Sequence, residues 1–149
     1  MSNMITSNQE ENLTHLVESF KMELSPLFKK YNVSFAYFGG SWVRGKQSAF
    51  SDMDIFVSLP SLVTLSSEEI FVLLSDFSRK ACEITKQDTL EITVLERIPL
   101  HVQFQAIKDG ILLYEENKDI RINFIENLLK YYYDHKIWYH NYLSQAVEG

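Results

Sequence analysis

The residues whose types and spacing could do chemistry lie between Phe38 and Val57, in a stretch that opens Phe38-Gly39-Gly40-Ser41 and closes Asp52-Met53-Asp54. Two glycines let a backbone approach a ligand closely, because no Cβ intervenes. Exposed N–H groups after a strand, with a short helical turn beginning at Ser41, make a cradle for an anion. Arg44 and Lys46 stand close enough in sequence to add positive charge. Asp52 and Asp54 are two residues apart at the start of a strand, so their side chains share a face and their carboxylates can converge. Two such charges repel unless a cation holds them. Mg²⁺ suits them: it is hard, prefers oxygen, and often takes one or two carboxylates together with substrate phosphates. A phosphate cradle beside a divalent-metal site is the layout for in-line attack at phosphorus, where paired metals about 3.5–4 Å apart can stabilise both the attacking and the leaving oxygen.

The elements that must position these groups follow from periodicity. Leu13, Leu16, Val17, Phe20, Leu24, Leu27 and Phe28 recur at helical spacing, and Pro26 predicts a kink or a restart with Ser25 as its cap. Val33 to Phe38 reads as a strand halted by Gly39-Gly40, and Asp54 to Leu59 as a second halted by Pro60. Ser66 with Glu69 forms a capping box ahead of a helix. Thr89 to Leu95 alternates as a third strand. Leu100, Val102, Phe104 and Ala106 also alternate, yet Pro99 before them and Gly110 after them fit a helix, so the pattern leaves that element open. Ile111 to Tyr114 suits a short edge strand, and Ile120 to Leu143 is helical.

The expected architecture is one α/β (α+β) domain over residues 1–149. It has an N-terminal helical region over 8–31, a catalytic core over 33–114 and a C-terminal helical tail over 118–145. A small, mixed, twisted sheet of three to four strands is backed by helices on one face, with the C-terminal helix in addition. The chain is 46% hydrophobic and 23% charged, ordinary for a globular protein. Its net charge of −6 offers no overall basic character for general nucleic-acid binding. No apolar run approaches the roughly 20 residues that span a bilayer, and the start, Met1 to Glu11, lacks the regions of a signal peptide. Cys82 is the sole cysteine, which fits a reducing cytoplasm. His15, His101, His135 and His140 do not cluster at zinc-ligand spacing, no P-loop is present, and no Ser/His/Asp set stands out. Tyr131, Tyr132, Tyr133, Trp138, Tyr139 and Tyr142 crowd the tail, to pack on their own domain or on a partner.

The segment resembles the signature of the DNA polymerase β nucleotidyltransferase superfamily: Gly40-Ser41, ten intervening residues, then Asp52-Met53-Asp54. Within it, Ser41-Trp42-Val43-Arg44-Gly45 and Ser51-Asp52-Met53-Asp54 are similar to the minimal nucleotidyltransferase (MNT) proteins, which usually carry alanine where Val43 stands. The superfamily pattern needs a third carboxylate on a later strand. In Leu90-Glu91-Ile92-Thr93-Val94-Leu95 that residue is Glu91, where the family more often has aspartate; Glu96 competes but has the opposite parity. The resemblance continues through Ile107-Lys108-Asp109-Gly110-Ile111-Leu112-Leu113-Tyr114, which looks like the family's helix end, glycine and short strand, and tips Leu100 to Ala106 toward helix.

The resemblance implies a nucleotidyltransferase that moves a nucleoside monophosphate from ATP to a hydroxyl and releases pyrophosphate, base choice being a matter of pocket shape. Gly40 and Ser41 would bind the β/γ-phosphates. Asp52 and Asp54 would hold two Mg²⁺ ions. Glu91 would complete the second metal site and help deprotonate the acceptor. Arg44 would support the phosphate or the turn. It further implies an antitoxin that adenylylates (AMPylates) a HEPN-type ribonuclease toxin. The rivals are a small-molecule, aminoglycoside-type nucleotidyltransferase, and a catalytically impaired antitoxin that acts by binding.

Overall fold

Phe35, Ala36, Tyr37 and Phe38 are consecutive and all buried, so the strand that carries them has no solvent face. Such a run belongs in the middle of a sheet. A computed structural model of the chain describes residues 7–40 and 53–148. Its four strands are β1 (Phe35–Gly40), β2 (Met53–Ser58), β3 (Leu90–Val94) and β4 (Ile111–Glu115), in the order β3-β2-β1-β4. β1 pairs antiparallel with β2 and β4, whereas β2 pairs parallel with β3. A parallel pair needs a long crossover. Here α2 (Ser67–Thr85) provides it, following α1 (Ser7–Lys30) in the chain.

The core face of the sheet carries Ala36 and Phe38 from β1, Met53, Ile55 and Val57 from β2, and Leu90, Ile92 and Val94 from β3. Val17, Phe20, Leu24 and Phe28 of α1 and Phe77 and Ala81 of α2 cover it. Phe20 meets Phe38 edge-on with ring centroids 5.4 Å apart, and Tyr31 stacks on Phe77 at 4.5 Å. α1 runs as one helix through Pro26 rather than restarting at Ser25. Proline removes a hydrogen bond to the carbonyl four residues back. That carbonyl belongs to Met22, whose side chain is exposed, while Leu24, Leu27 and Phe28 hold the next turn in the core. The helix closes on Asn32 in the left-handed region (φ 59°), with the Val33 N–H bonded to the Phe28 carbonyl at 3.0 Å. At α2 the capping box of Ser66 and Glu69 is present in both directions.

The opposite face is covered as well, so helices line both sides of the sheet rather than one. α3 (Leu100–Asp109) and α4 (Lys118–Glu148) pack there on Phe35 and Tyr37. Phe124 of α4 meets Phe35 edge-on at 5.2 Å, and Tyr132 stacks on Phe104 of α3 at 4.1 Å. These two tail aromatics are therefore spent on their own domain, whereas Tyr131 and Tyr133 are exposed. The side chains of Trp138, Tyr139 and Tyr142 lie outside what is described. Arg121 ties α4 to the sheet, pairing with Glu115 and donating to the Tyr37 hydroxyl at 3.1 Å. Among the described residues no helix is long and apolar enough to cross a membrane.

A charged cluster joins the end of α1 to α2. The Asp76 carboxylate accepts hydrogen bonds from Arg79 at 2.7 Å and Tyr31 at 3.1 Å, and Lys80 approaches to 3.1 Å. Arg79 first, then Lys80 and Tyr31, hold its pKa at about 2, below the ordinary 3.8. A depressed carboxylate stabilises the fold fully above its unfolded value and loses that contribution as pH falls through the folded one. The gap in urea midpoint between the wild type and Asp76→Asn should therefore be widest at neutral pH and close between 3.8 and about 2. A gap independent of pH would show that the carboxylate's charge contributes nothing.

Candidate active site

β1 ends on two glycines because its partner leaves no room for side chains. A Cβ on Gly39 would fall 2.7 Å from Cε2 of Phe56, whose ring lies over it from β2. Gly40 has φ of 87°, in the region that favours glycine. Gly39 pairs with Asp54 across the β1–β2 ladder, and Asp54 pairs with Glu91 across the β2–β3 ladder. Gly39, Asp54 and Glu91 thus form one row across three strands. Met53, Ile55, Leu90 and Ile92 are buried in the core, so the two carboxylates between them point to the opposite face together. Neighbouring strands are about 4.8 Å apart, close enough for both carboxylates to serve one hard cation.

Glu96 takes no part in that row. β3 ends at Val94, and Glu96 lies on the following 3-10 turn, Leu95–Arg97. Its carboxylate accepts from Ser58 Oγ at 2.6 Å and from the Leu59 N–H at 3.0 Å, closing the end of β2. Strand parity set it apart from Glu91 in the sequence; in the structure a turn and two hydrogen bonds do so. Cys82 is equally removed from chemistry: burial pushes its thiol up, and the thiol donates to the Leu90 carbonyl at 3.2 Å.

A cleft of about 180 Å³ opens between the strand ends and α3. Gly39, Gly40, Asp54 and Phe56 form its sheet wall, and Val102, Gln105, Ala106, Asp109 and Gly110 its helix wall. Gly110 allows the close approach: a Cβ there would fall 2.3 Å from the Ala106 carbonyl oxygen and 3.2 Å from Tyr37 Cβ. Gln105 donates to the Asp109 carboxylate within this wall. Neither residue stood out in the sequence. The available signal was the spacing of 102, 105, 106 and 109 on one helix face, which could be read only once the element was known to be helical.

Asp54, Glu91 and Gly40 of the expected site are thus placed at one end of the sheet, two of them in register. Asp52, Ser41 and Arg44 lie outside the described residues. Among the described residues no three His, Cys, Asp or Glu side chains gather to hold a metal ion. Asp54 and Glu91 present the oxygen donors that Mg²⁺ prefers, and in this respect they fit it.

A family model described as polymerase beta, nucleotidyltransferase matches residues 22–119. Among solved structures, a toxin–antitoxin complex with AMP-PNP is similar at 16% identity and a TM-score of 0.64, over 85% of this chain and 98% of that one. A mutant toxin–antitoxin complex, MntA–HpeT, is similar at 15% identity and a TM-score of 0.63, again over 85% and 98%. A complex of the tri-AMPylated Shewanella oneidensis HEPN toxin with MNT antitoxin is similar at 14% identity and a TM-score of 0.54, over 93% and 98%. At these identities the likeness is one of fold. No curated protein matches the chain.

Proposed function

Since the chain belongs to the polymerase beta nucleotidyltransferase family, we propose that it transfers adenylate from ATP to a hydroxyl of a HEPN-type toxin partner, and so acts as an antitoxin. The observation that carries the reading is the row Gly39–Asp54–Glu91 beside the cleft under α3. Its acids flank a glycine-lined strand end, as attack at a phosphate requires. The proposed setting is the cytoplasm.

The chain's own groups have distinct tasks in this reading. Gly39 and Gly40 let the triphosphate lie against the backbone, and Ser41 and Arg44 extend that cradle. Asp52, Asp54 and Glu91 would hold Mg²⁺, which supplies charge stabilisation to the phosphates when bound. Glu91, exposed at the outer end of the row, takes the proton of the attacking hydroxyl. The acceptor oxygen bonds to the α-phosphorus, the bond from that phosphorus to the bridging oxygen breaks, and pyrophosphate leaves. Support for a protein acceptor comes from the solved complexes of similar fold, one of which holds an AMPylated HEPN toxin with its MNT antitoxin.

The test is incubation of the purified chain with Mg²⁺, ATP labelled at its α-phosphate, and a HEPN-type toxin protein. The expected result is label on that protein, dependent on Mg²⁺, with one pyrophosphate released per adenylate. Neutralisation of the toxin without any label would instead support action by binding.

A further inference from the structure

The cleft under α3 holds a polar pair that no step of the proposed reaction uses. Gln105 and Asp109 are one turn apart on the helix wall, and both line the cleft. A carboxylate can only accept, so the Gln105 amide turns its nitrogen to Asp109 and its oxygen away. The pair therefore presents two acceptors, the Gln105 Oε1 and the second carboxylate oxygen of Asp109. Phe56 from the sheet and Val102 and Ala106 from the helix supply apolar surface beside them. Among the described residues that line the cleft, none is lysine or arginine, and Asp54 adds a carboxylate at the strand end. At about 180 Å³ the cleft is smaller than the roughly 300–1,000 Å³ that encloses a drug-sized ligand, so it takes one part of a nucleotide.

We propose that this part is the base, and that Gln105 and Asp109 select adenine by accepting from its exocyclic amino group. This rests on the proposed transfer from ATP and adds what distinguishes ATP from other nucleotides. A phosphate is disfavoured in the cleft, which offers it carboxylates and no cation among the described residues. A base is neutral and flat. Apolar side chains suit its faces, and its edge carries hydrogen-bonding groups. The amino group of adenine has two N–H bonds, one for each acceptor of the pair. Hypoxanthine, guanine and uracil carry a carbonyl oxygen at the corresponding position, and an oxygen facing two acceptors is left unpaired. Guanine has another edge, N1–H beside its amino group, that pairs with both oxygens of one carboxylate. Gln105 already engages one of those of Asp109. The triphosphate then leaves the cleft past Gly40 and Asp54, where the proposed cradle and metal site begin.

The experiment measures binding of the magnesium complexes of ATP, ITP, GTP and CTP by titration calorimetry, with no acceptor protein present. The proteins are the wild type, Asp109→Asn, Gln105→Ala and, as a control, Lys108→Ala, an exposed position of α3 outside the cleft. Gln105 is exposed as well, so its variant should keep the wild-type Tm. The wild type and the control should bind ATP at least about tenfold more tightly than ITP, as a hydrogen bond to a charged group provides. Asparagine at 109 accepts from Gln105 with its one oxygen and turns an N–H to the base, so Asp109→Asn should weaken ATP, favour ITP and bring the ratio close to one. Gln105→Ala should reduce the ratio in the same direction. Equal binding of ATP and ITP by the wild type, or a ratio unchanged in both cleft variants, overturns the inference. Equal loss of ATP and ITP in Asp109→Asn overturns it in favour of a contact to the ribose or the phosphates. Tighter binding of GTP or CTP than of ATP overturns adenine as the base. Transfer to the HEPN-type protein without discrimination among bases sinks this inference alone, and discrimination without transfer sinks the proposed acceptor alone. A wild type that binds none of the four overturns both.

Discussion

Asp54→Asn is expected to reduce nucleotidyl transfer by more than the roughly 10–100-fold that loss of an outer-shell partner of a metal site costs, because Asp54 is proposed as a ligand itself. It holds the middle of the row, in register with Gly39 on one side and Glu91 on the other. Asparagine keeps the shape and one oxygen but loses the charge that would hold Mg²⁺. The fold should survive. Like charges directly opposite each other across a sheet are destabilising, and the substitution removes that repulsion with Glu91. In metal-free buffer the variant should therefore remain folded, with a cooperative urea transition. Added Mg²⁺ should raise the wild-type Tm and leave the variant's unchanged, since only a folded state that binds the ion gains from it. Near-normal transfer by the variant would remove Asp54 from the mechanism, and unfolding would make it a structural residue.

Glu91→Gln and Glu96→Ala should separate chemistry from stability. Glu91 is exposed and lies on the site face, so Glu91→Gln should abolish most transfer with little change in Tm. Glu96 accepts from Ser58 and Leu59, both almost fully buried. Removing that acceptor leaves two buried donors unsatisfied, and Glu96→Ala should cost about 1–3 kcal/mol of stability. At a temperature where it remains folded, its transfer rate should be close to normal. The pair is read by urea denaturation alongside transfer from labelled ATP. Loss of transfer in a folded Glu96 variant, with Glu91→Gln active, would exchange their roles.

Much of the fold was legible because local rules and tertiary packing agree. The apolar run Val33 to Phe38 marked a strand, which the structure shows to be buried on both faces, and Ser66 with Glu69 marked a helix start that the structure realises bond for bond. Two elements were legible only in part. Leu100, Val102, Phe104 and Ala106 fit a strand by alternation, yet form a helix in which only Ala106 is buried. A helix that is partly exposed carries a weak stripe, and four residues cannot tell period 2 from period 3.6. At Pro26 the local rule for a restart yielded to packing, since Leu24, Leu27 and Phe28 are buried on the helix face away from the proline.

The sequence by itself determined the residue types and local spacing of the candidate site, a glycine-rich strand end and carboxylates two residues apart, while Glu91 was singled out as the further acid by the family resemblance. The first two are matters of residue type and local period, which a strand's pleat converts directly into faces. Only the tertiary structure decided that Glu91 is opposite Asp54, because register between β2 and β3 is set by packing of both strands under α1 and α2, across a crossover of more than thirty residues. Tertiary structure also brought Gln105 and Asp109 to the cleft and, among the described residues, left β3 the outermost strand on its side of the sheet. No local pattern encodes which strand is outermost. That follows from which faces the helices cover, and it is fixed only when the whole core is assembled.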